Sequence, residues 1–211
     1  MKFSVLTTLL FLPLLSMTSC NASTASSDPS SAQPSSSTTA KTETIVLGGG
    51  CFWCLDGAYR IVPGVKSVVS GYSGGAIKNP SYERVCTGTT GHAEVVRIEY
   101  DPAEVTLERL LELFWVVHDP TTLNAQGNDH GTQYRSVIFY ANDEQKAAAE
   151  KSKEAAQAKF RDPIVTEISP IAPFYAAEDY HQDYFRKNPD AGYCRYVVRA
   201  KVDKMKKAIS H

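Results

Sequence analysis

The sequence has little cysteine, no excess of charge of one sign and no apolar run long enough to cross a bilayer comfortably. Five cysteines in 211 residues are too few for a disulfide scaffold, and the odd number leaves at least one thiol to explain. Lysine and arginine number 22 against 23 aspartate and glutamate, a formal charge of -1 that lacks the basic footprint of a nucleic-acid binder. The apolar run at residues 3–15 is too short for a transmembrane helix. No internal repeat is present. Hydrophobic residues at 43% and charged residues at 21% exclude wholesale disorder and a polytopic membrane protein, leaving one soluble domain with an appendage.

The amino end has the layout of an export signal. Met1 and Lys2 precede the apolar run, and Ser16, Met17, Thr18 and Ser19 lead to Cys20, which fits a secretory signal peptide over residues 1–19. A small residue before a cysteine, directly after the run, resembles a bacterial lipoprotein signal whose cysteine is lipidated. Met17 stands where that signal usually has leucine. Residues 20–43 are rich in serine, threonine and alanine with Pro29 and Pro34, so they are expected to be a disordered, flexible tether. The expected protein is therefore exported to the cell envelope and anchored to a membrane through lipid on Cys20. Its folded domain, over residues 44–211, would face the periplasm or extracytoplasmic space.

In that domain, residues 44–47 read as a buried strand ending in Gly48, Gly49 and Gly50. Phe52, Leu55, Ala58, Tyr59 and Val62 then recur at helical spacing until Pro63 and Gly64. Residues 65–72 and 93–100 read as strands separated by a loop rich in glycine, serine and threonine. The second alternates Val95, Arg97 and Glu99 outward against Val96, Ile98 and Tyr100. Thr106 caps a helix carrying Leu107, Leu110, Leu111, Phe114 and Trp115, and residues 121–132 form a polar loop. A strand at 134–140, a helix from Asn142 or Asp143 to about Phe160, a strand at 164–168 and a short helix at 178–186 follow. Irregular interleaving of this kind predicts an α+β domain with a mixed sheet.

Cys51 stands where three glycines meet a helix start. Its sulfur is expected to face unpaired backbone N–H groups and the positive end of the helix dipole, which favours thiolate. Phe52 and Trp53 point about 100° apart on a helix, so at least one should be partly open, walling a pocket for a group as small as methyl. Cys54 completes Cys-x-x-Cys, a redox signature at a helix start. Haem attachment would need histidine where Leu55 stands, and zinc would need a second close ligand pair that Cys86, Cys194 and the five histidines do not form. No metal and no bound cofactor are expected.

Six further stretches extend the pattern: Gly71-Tyr72-Ser73-Gly74-Gly75, Pro80-Ser81-Tyr82, Gly88-Thr89-Thr90-Gly91-His92-Ala93-Glu94, His118-Asp119-Pro120-Thr121-Thr122, Gln126 to Ser136, and Ala177 to Tyr184 continuing to Gly192-Tyr193-Cys194. With Gly50-Cys51-Phe52-Trp53-Cys54 they resemble the A-type peptide methionine sulfoxide reductases, which act on the S epimer. The resemblance covers essentially everything after residue 44.

The resemblance implies a mixed β-sheet sandwich with helices around a ferredoxin-like (split βαβ) core. It also implies reduction of methionine S-sulfoxide, in proteins and free, by Cys51, with Glu94 supplying a proton to the sulfoxide oxygen and Tyr82 and Tyr134 holding that oxygen. Phe52 and Trp53 would receive the methyl group and Asp129 the substrate main chain. Cys51 would become a sulfenic acid that a second thiol converts to a disulfide, recycled by thioredoxin or another dithiol. Cys194, in a carboxyl-terminal segment read as mobile, where the family commonly keeps its resolving thiol, is preferred for this over Cys54. The tail after Cys194 departs from longer family members in carrying no further cysteine. Cys86 is read as a packed free thiol, and His92, His130 and His181 as structural. A monomer is expected.

Two other functions compete with this one. A thioredoxin-like disulfide exchanger would use Cys51 and Cys54 without Glu94, but its proline-containing active-site dipeptide is missing. A non-catalytic, lipid-anchored binding module of the envelope would have no reason to place a cysteine at a glycine-rich helix start.

Overall fold

The computed structural model describes residues 42–210. The expected signal peptide, Cys20 and all but the last two residues of the expected tether lie outside the described residues. The chain runs through β1 (Glu43–Gly48), α1 (Phe52–Tyr59), β2 (Val65–Ser73), α2 (Tyr82–Cys86), β3 (Ala93–Tyr100), α3 (Leu107–Val117), β4 (Ala125–Gln126) and β5 (Asp129–His130). It continues through β6 (Val137–Tyr140), α4 (Asp143–Gln157), β7 (Glu167–Pro170), β8 (Tyr175–Ala176), α5 (Tyr184–Lys187) and α6 (Arg199–Ile209). A 3₁₀ turn at Thr132–Tyr134 leads into β6, and a π-helical turn at Cys194–Val198 leads into α6.

Six strands form one mixed sheet in the order β7-β6-β1-β3-β2-β8, and β4 pairs with β5 in a separate hairpin. All neighbours in the sheet are antiparallel except β6 and β7. Alternation along each strand decides which side chains meet the helices. Ile45 lies opposite Ile98 and Leu47 opposite Val96, and these four pack with Leu55, Leu110, Leu111 and Phe114 of α1 and α3 in the main core. The other face holds a smaller cluster of Val46, Ala93, Val95, Val137 and Phe139, with Phe174 against it. Val95 shares the face of Arg97 and Glu99 as expected, but the smaller cluster covers that face at its end of the strand, so Val95 is buried.

The helix starts obey local chemistry. Thr106 Oγ1 accepts from the Arg109 amide at 3.2 Å, and Asn142 Oδ1 accepts from the Gln145 amide at 2.8 Å, each satisfying a first-turn donor. Four sequence expectations need correction. The loop after β2 contains α2, capped by Ser81. The strand expected at 164–168 is shifted to Glu167–Pro170, in parallel register with β6. The helix expected at 178–186 is broken into a 3₁₀ turn and α5, because Asp183 adopts a left-handed conformation (φ 55°). The carboxyl-terminal segment is ordered helix, and Cys194 within it has no solvent-exposed surface.

Candidate active site

The glycine turn after β1 delivers Cys51 to the amino end of α1. Gly50 has φ +90°, and a Cβ there would come within 2.6 Å of Gln126 Cγ, so both conformation and space require glycine. The Gly50 amide donates to Tyr134 O at 3.2 Å, which ties the turn to the 3₁₀ segment carrying Tyr134. In β3, Glu94 faces the helix side: it lies opposite Tyr72 in the register that puts Val96 and Ile98 into the core. Its Oε2 accepts the Phe52 amide at 3.0 Å.

This hydrogen bond changes the expected electrostatics. One first-turn amide is given to Glu94, and only that of Trp53 is directed to the Cys51 sulfur. Cys51 is 9% exposed, and burial, then the neighbouring Glu94 and Cys54, hold its thiol well above the ordinary value. The resting site therefore favours thiol, and the expected thiolate has to form during turnover. Burial also pushes the Glu94 carboxyl up to about 8, against the pull of the Phe52 amide. Glu94 is thus a proton donor at neutral pH. Burial keeps the Tyr82 and Tyr134 phenols neutral, with the Cys86 sulfur adding to the effect at Tyr82 and Glu94 at Tyr134.

The aromatic wall comes from three parts of the chain. Phe52 is fully buried while Trp53 is partly open, the division expected from their angle on the helix. The Trp53 indole stacks on Tyr184 at 3.8 Å between ring centroids and donates to His181 Nδ1 at 3.1 Å. His181 also lies against Phe52 (4.9 Å) and Tyr82 (4.5 Å). The Tyr193 hydroxyl donates to Asp129 Oδ2, and its ring meets Trp53 edge-on. Glu178 accepts from the Tyr82 amide and the Tyr72 hydroxyl, both at 2.9 Å, and so fixes α2 against β2.

A family model described as peptide methionine sulfoxide reductase matches residues 43–211. The chain belongs to the peptide methionine sulfoxide reductase family. It is an oxidoreductase that returns methionine sulfoxide to methionine, the (S)-S-oxide reductase of the A type. It is 56% identical, over 77% of its length and 92% of the relative's, to the peptide methionine sulfoxide reductase MsrA of Leptospira borgpetersenii serovar Hardjo-bovis. Among solved structures it is similar to Mxr1 from Saccharomyces cerevisiae in reduced form, with TM-score 0.70 and 41% identity, covering 74% of this chain and 91% of that one. It is also similar to Mxr1 in complex with Trx2, with TM-score 0.51 and 31% identity over 69% of this chain and 86% of that one.

In this reductase Cys51, Cys54, Glu94, Tyr82, Tyr134 and Asp129 gather around the start of α1. Cys54 is buried one turn beyond Cys51, and burial pushes its thiol up to about 12. Cys86, read as packed, is exposed at the end of α2, because that short helix buries only Val85. His92 bridges the Gly75 amide and Ile77 O and is structural, as expected, whereas His130 is exposed. Sequence reasoning missed Tyr184, Tyr193 and Glu178. All three lie inside the quoted motifs, but tyrosine and glutamate carry no signal that separates such roles from ordinary packing.

Proposed function

We propose the following chemistry for the reduction. Tyr82 and Tyr134 donate hydrogen bonds to the sulfoxide oxygen, Phe52 and Trp53 receive the methyl group, and Asp129 holds the substrate main chain with the oxygen that Tyr193 leaves free. As the Cys51 sulfur attacks the sulfoxide sulfur, Glu94 protonates the sulfoxide oxygen and takes up the proton that Cys51 loses, so it ends the step as the acid it began. The oxygen passes to Cys51, the thioether leaves as methionine, and thiol plus sulfoxide become sulfenic acid plus thioether with no other reagent. The observation that carries this assignment is the contact of Glu94 with the first amide of α1, beside Cys51, in surroundings that keep the carboxyl protonated. Single-turnover assays on the two sulfoxide epimers test it: methionine should form from the S epimer alone, and equal rates on both would overturn it.

Cys54 is the thiol we assign to the next step. The preference for Cys194 rested on a mobile tail and on where the family commonly keeps its resolving thiol; the π-helical turn that buries Cys194 supports Cys54 instead. Cys51 caps α1 and its carbonyl accepts the Cys54 amide at 3.0 Å, so the two close a single turn of the kind that brings Cα atoms three residues apart to within about 7 Å, at disulfide range. Peptide mapping of the oxidised enzyme decides: a Cys51–Cys194 bond alone would refute Cys54. Thioredoxin is the reductant that the yeast Mxr1–Trx2 complex supports.

The split βαβ reading of the core draws support from the order β6-β1-β3-β2, in which α1 and α3 each join strands separated by one antiparallel neighbour. Export and lipidation at Cys20 rest on the sequence pattern at residues 1–20. Fatty-acid labelling tests them, and a Cys20→Ala chain that still partitions wholly with membranes would place the anchor elsewhere.

A further inference from the structure

The chain beyond Cys194, which offers no further cysteine, folds as α6, and Lys201 of α6 is hydrogen-bonded to Gln126, whose side chain lies against Gly50 at the head of the Cys51–Cys54 turn. Lys201 Nζ donates to Val117 O, at the end of α3, at 2.9 Å and to Gln126 Oε1 at 3.2 Å. Both acceptors are neutral. Gln126 is itself fixed: its nitrogen donates to Asp119 O at 3.0 Å, its oxygen accepts from the Asp119 amide at 3.2 Å, and its aliphatic part fills the space against Gly50. Lys201 is therefore held in one place by two other parts of the chain, the end of α3 and Gln126 of β4.

The charged and titratable groups that face Cys54 are Lys201 from α6, Tyr193 from the turn before Cys194, Asp129 from β5, Glu94 from β3 and Cys51 from its own helical turn. Of these, Lys201 acts most strongly to favour the Cys54 thiolate, the Tyr193 hydroxyl assists by a hydrogen bond, and the acids oppose it. Lys201 in turn faces Lys204, Asp129 and Asp119, and burial lowers its pKa while Cys54 is the leading influence that raises it again. The two groups thus favour each other's charged forms in a setting that otherwise disfavours both.

We propose that Lys201 is a positioning residue for disulfide formation, stabilising the Cys54 thiolate as it attacks the Cys51 sulfenic acid, and that it takes no part in sulfoxide reduction. The inference rests on Cys54 as the resolving thiol. In that step the Cys54–Cys51 S–S bond forms and the Cys51 S–O bond breaks. The departing hydroxide and the Cys54 proton leave as water, so thiol plus sulfenic acid give disulfide without an external oxidant. Cys54 supplies the electron pair. A cation beside it raises the thiolate fraction, which limits a thiol whose pKa lies so far above neutrality.

The test uses the full chain without reductant, mixed with the S epimer of methionine sulfoxide from pH 6 to 9. Methionine release and the lifetime of the Cys51 sulfenic acid, trapped with dimedone, are followed together. Lys201→Gln should release one methionine per enzyme at the parental rate, yet hold the sulfenic acid about tenfold longer at pH 7. Its resolution profile should move about one pH unit to the alkaline side, as loss of a neighbouring cation dictates. Lys201→Arg should restore the parental profile. Lys201→Met, which keeps the aliphatic stem, is the second neutral variant, and loss of the first methionine in both would overturn the proposal. So would an unshifted profile with a mapped Cys51–Cys54 bond. A Cys54→Ser chain that still forms its disulfide at the parental rate would refute Cys54 instead.

Discussion

Glu94 accepts the amide of Phe52, so the helix whose start presents Cys51 also holds the carboxyl proposed as the acid. The helix end favours a carboxylate there, burial favours the carboxylic acid, and burial prevails. The same burial keeps Cys51 as a thiol. Acid and nucleophile thus wait in their protonated forms, which suits a reaction whose oxygen must be protonated as sulfur attacks.

Glu94→Gln should slow the first methionine release by about 10²- to 10⁴-fold, the usual worth of general acid catalysis. The parental rate should fall as pH rises through about 8, where the carboxyl loses its proton, and the variant should lack that fall. Stability should show the same group. Because the folded pKa lies above the unfolded one, this acid's contribution is full below about 4.5 and is lost as pH rises toward 8. The melting temperature of Glu94→Gln should therefore gain on the parent across that window. A constant difference would contradict the assignment.

His118 works in the opposite direction. Its Nδ1 pairs with Phe114 O and its Nε2 with Ser136 Oγ, both inside the core, and burial pushes its pKa down to about 4. The neutral ring is favoured by folding, so its contribution is present above about 6.5 and is lost as pH falls toward 4. Thermal unfolding should show an acid limb in that interval. His118→Gln should flatten the limb and cost about 1–3 kcal/mol at pH 7 through imperfect replacement of the buried hydrogen bonds.

Gly50→Ala should lower stability by about 1–3 kcal/mol, from the left-handed backbone and the contact with Gln126. It should also slow methionine release, because the same turn aims Cys51. Denaturant midpoints and single-turnover rates from one preparation check both effects.

In the proposed chemistry, Tyr82→Phe and Tyr134→Phe each remove one neutral donor to the sulfoxide oxygen. Each should slow methionine release about tenfold to a hundredfold, at the modest end for oxyanion donors because Glu94 carries the proton. Loss of affinity with an unchanged rate at saturating substrate would show that the phenols bind substrate without serving the transition state.

Where hydrophobic period and punctuation were strong, the sequence was readable. Ile45 to Leu47 with three glycines gave β1 and its turn, and Thr106 and Asn142 marked the starts of α3 and α4. α2 was hidden because five residues with one buried side chain leave no period to detect. α6 escaped notice for a related reason: its apolar residues Val202 and Met205 are few among lysines, and only packing against the rest of the chain defines its face. At the site, motif identity located Cys51 and Glu94 but not their protonation. That depends on which amide reaches which side chain, a three-dimensional competition invisible along the chain.

The sheet is closed at its two margins by very short strands. β8 has two residues, and β7 has four and ends in Pro170, which has no amide to offer a further strand. A reductase that takes methionine sulfoxide in peptides meets chains with unpaired backbone. A long bare margin would let those clients add themselves edge to edge, and the enzyme would seed the aggregation that oxidation promotes. With so little margin to template, a substrate chain finds few backbone partners on the sheet.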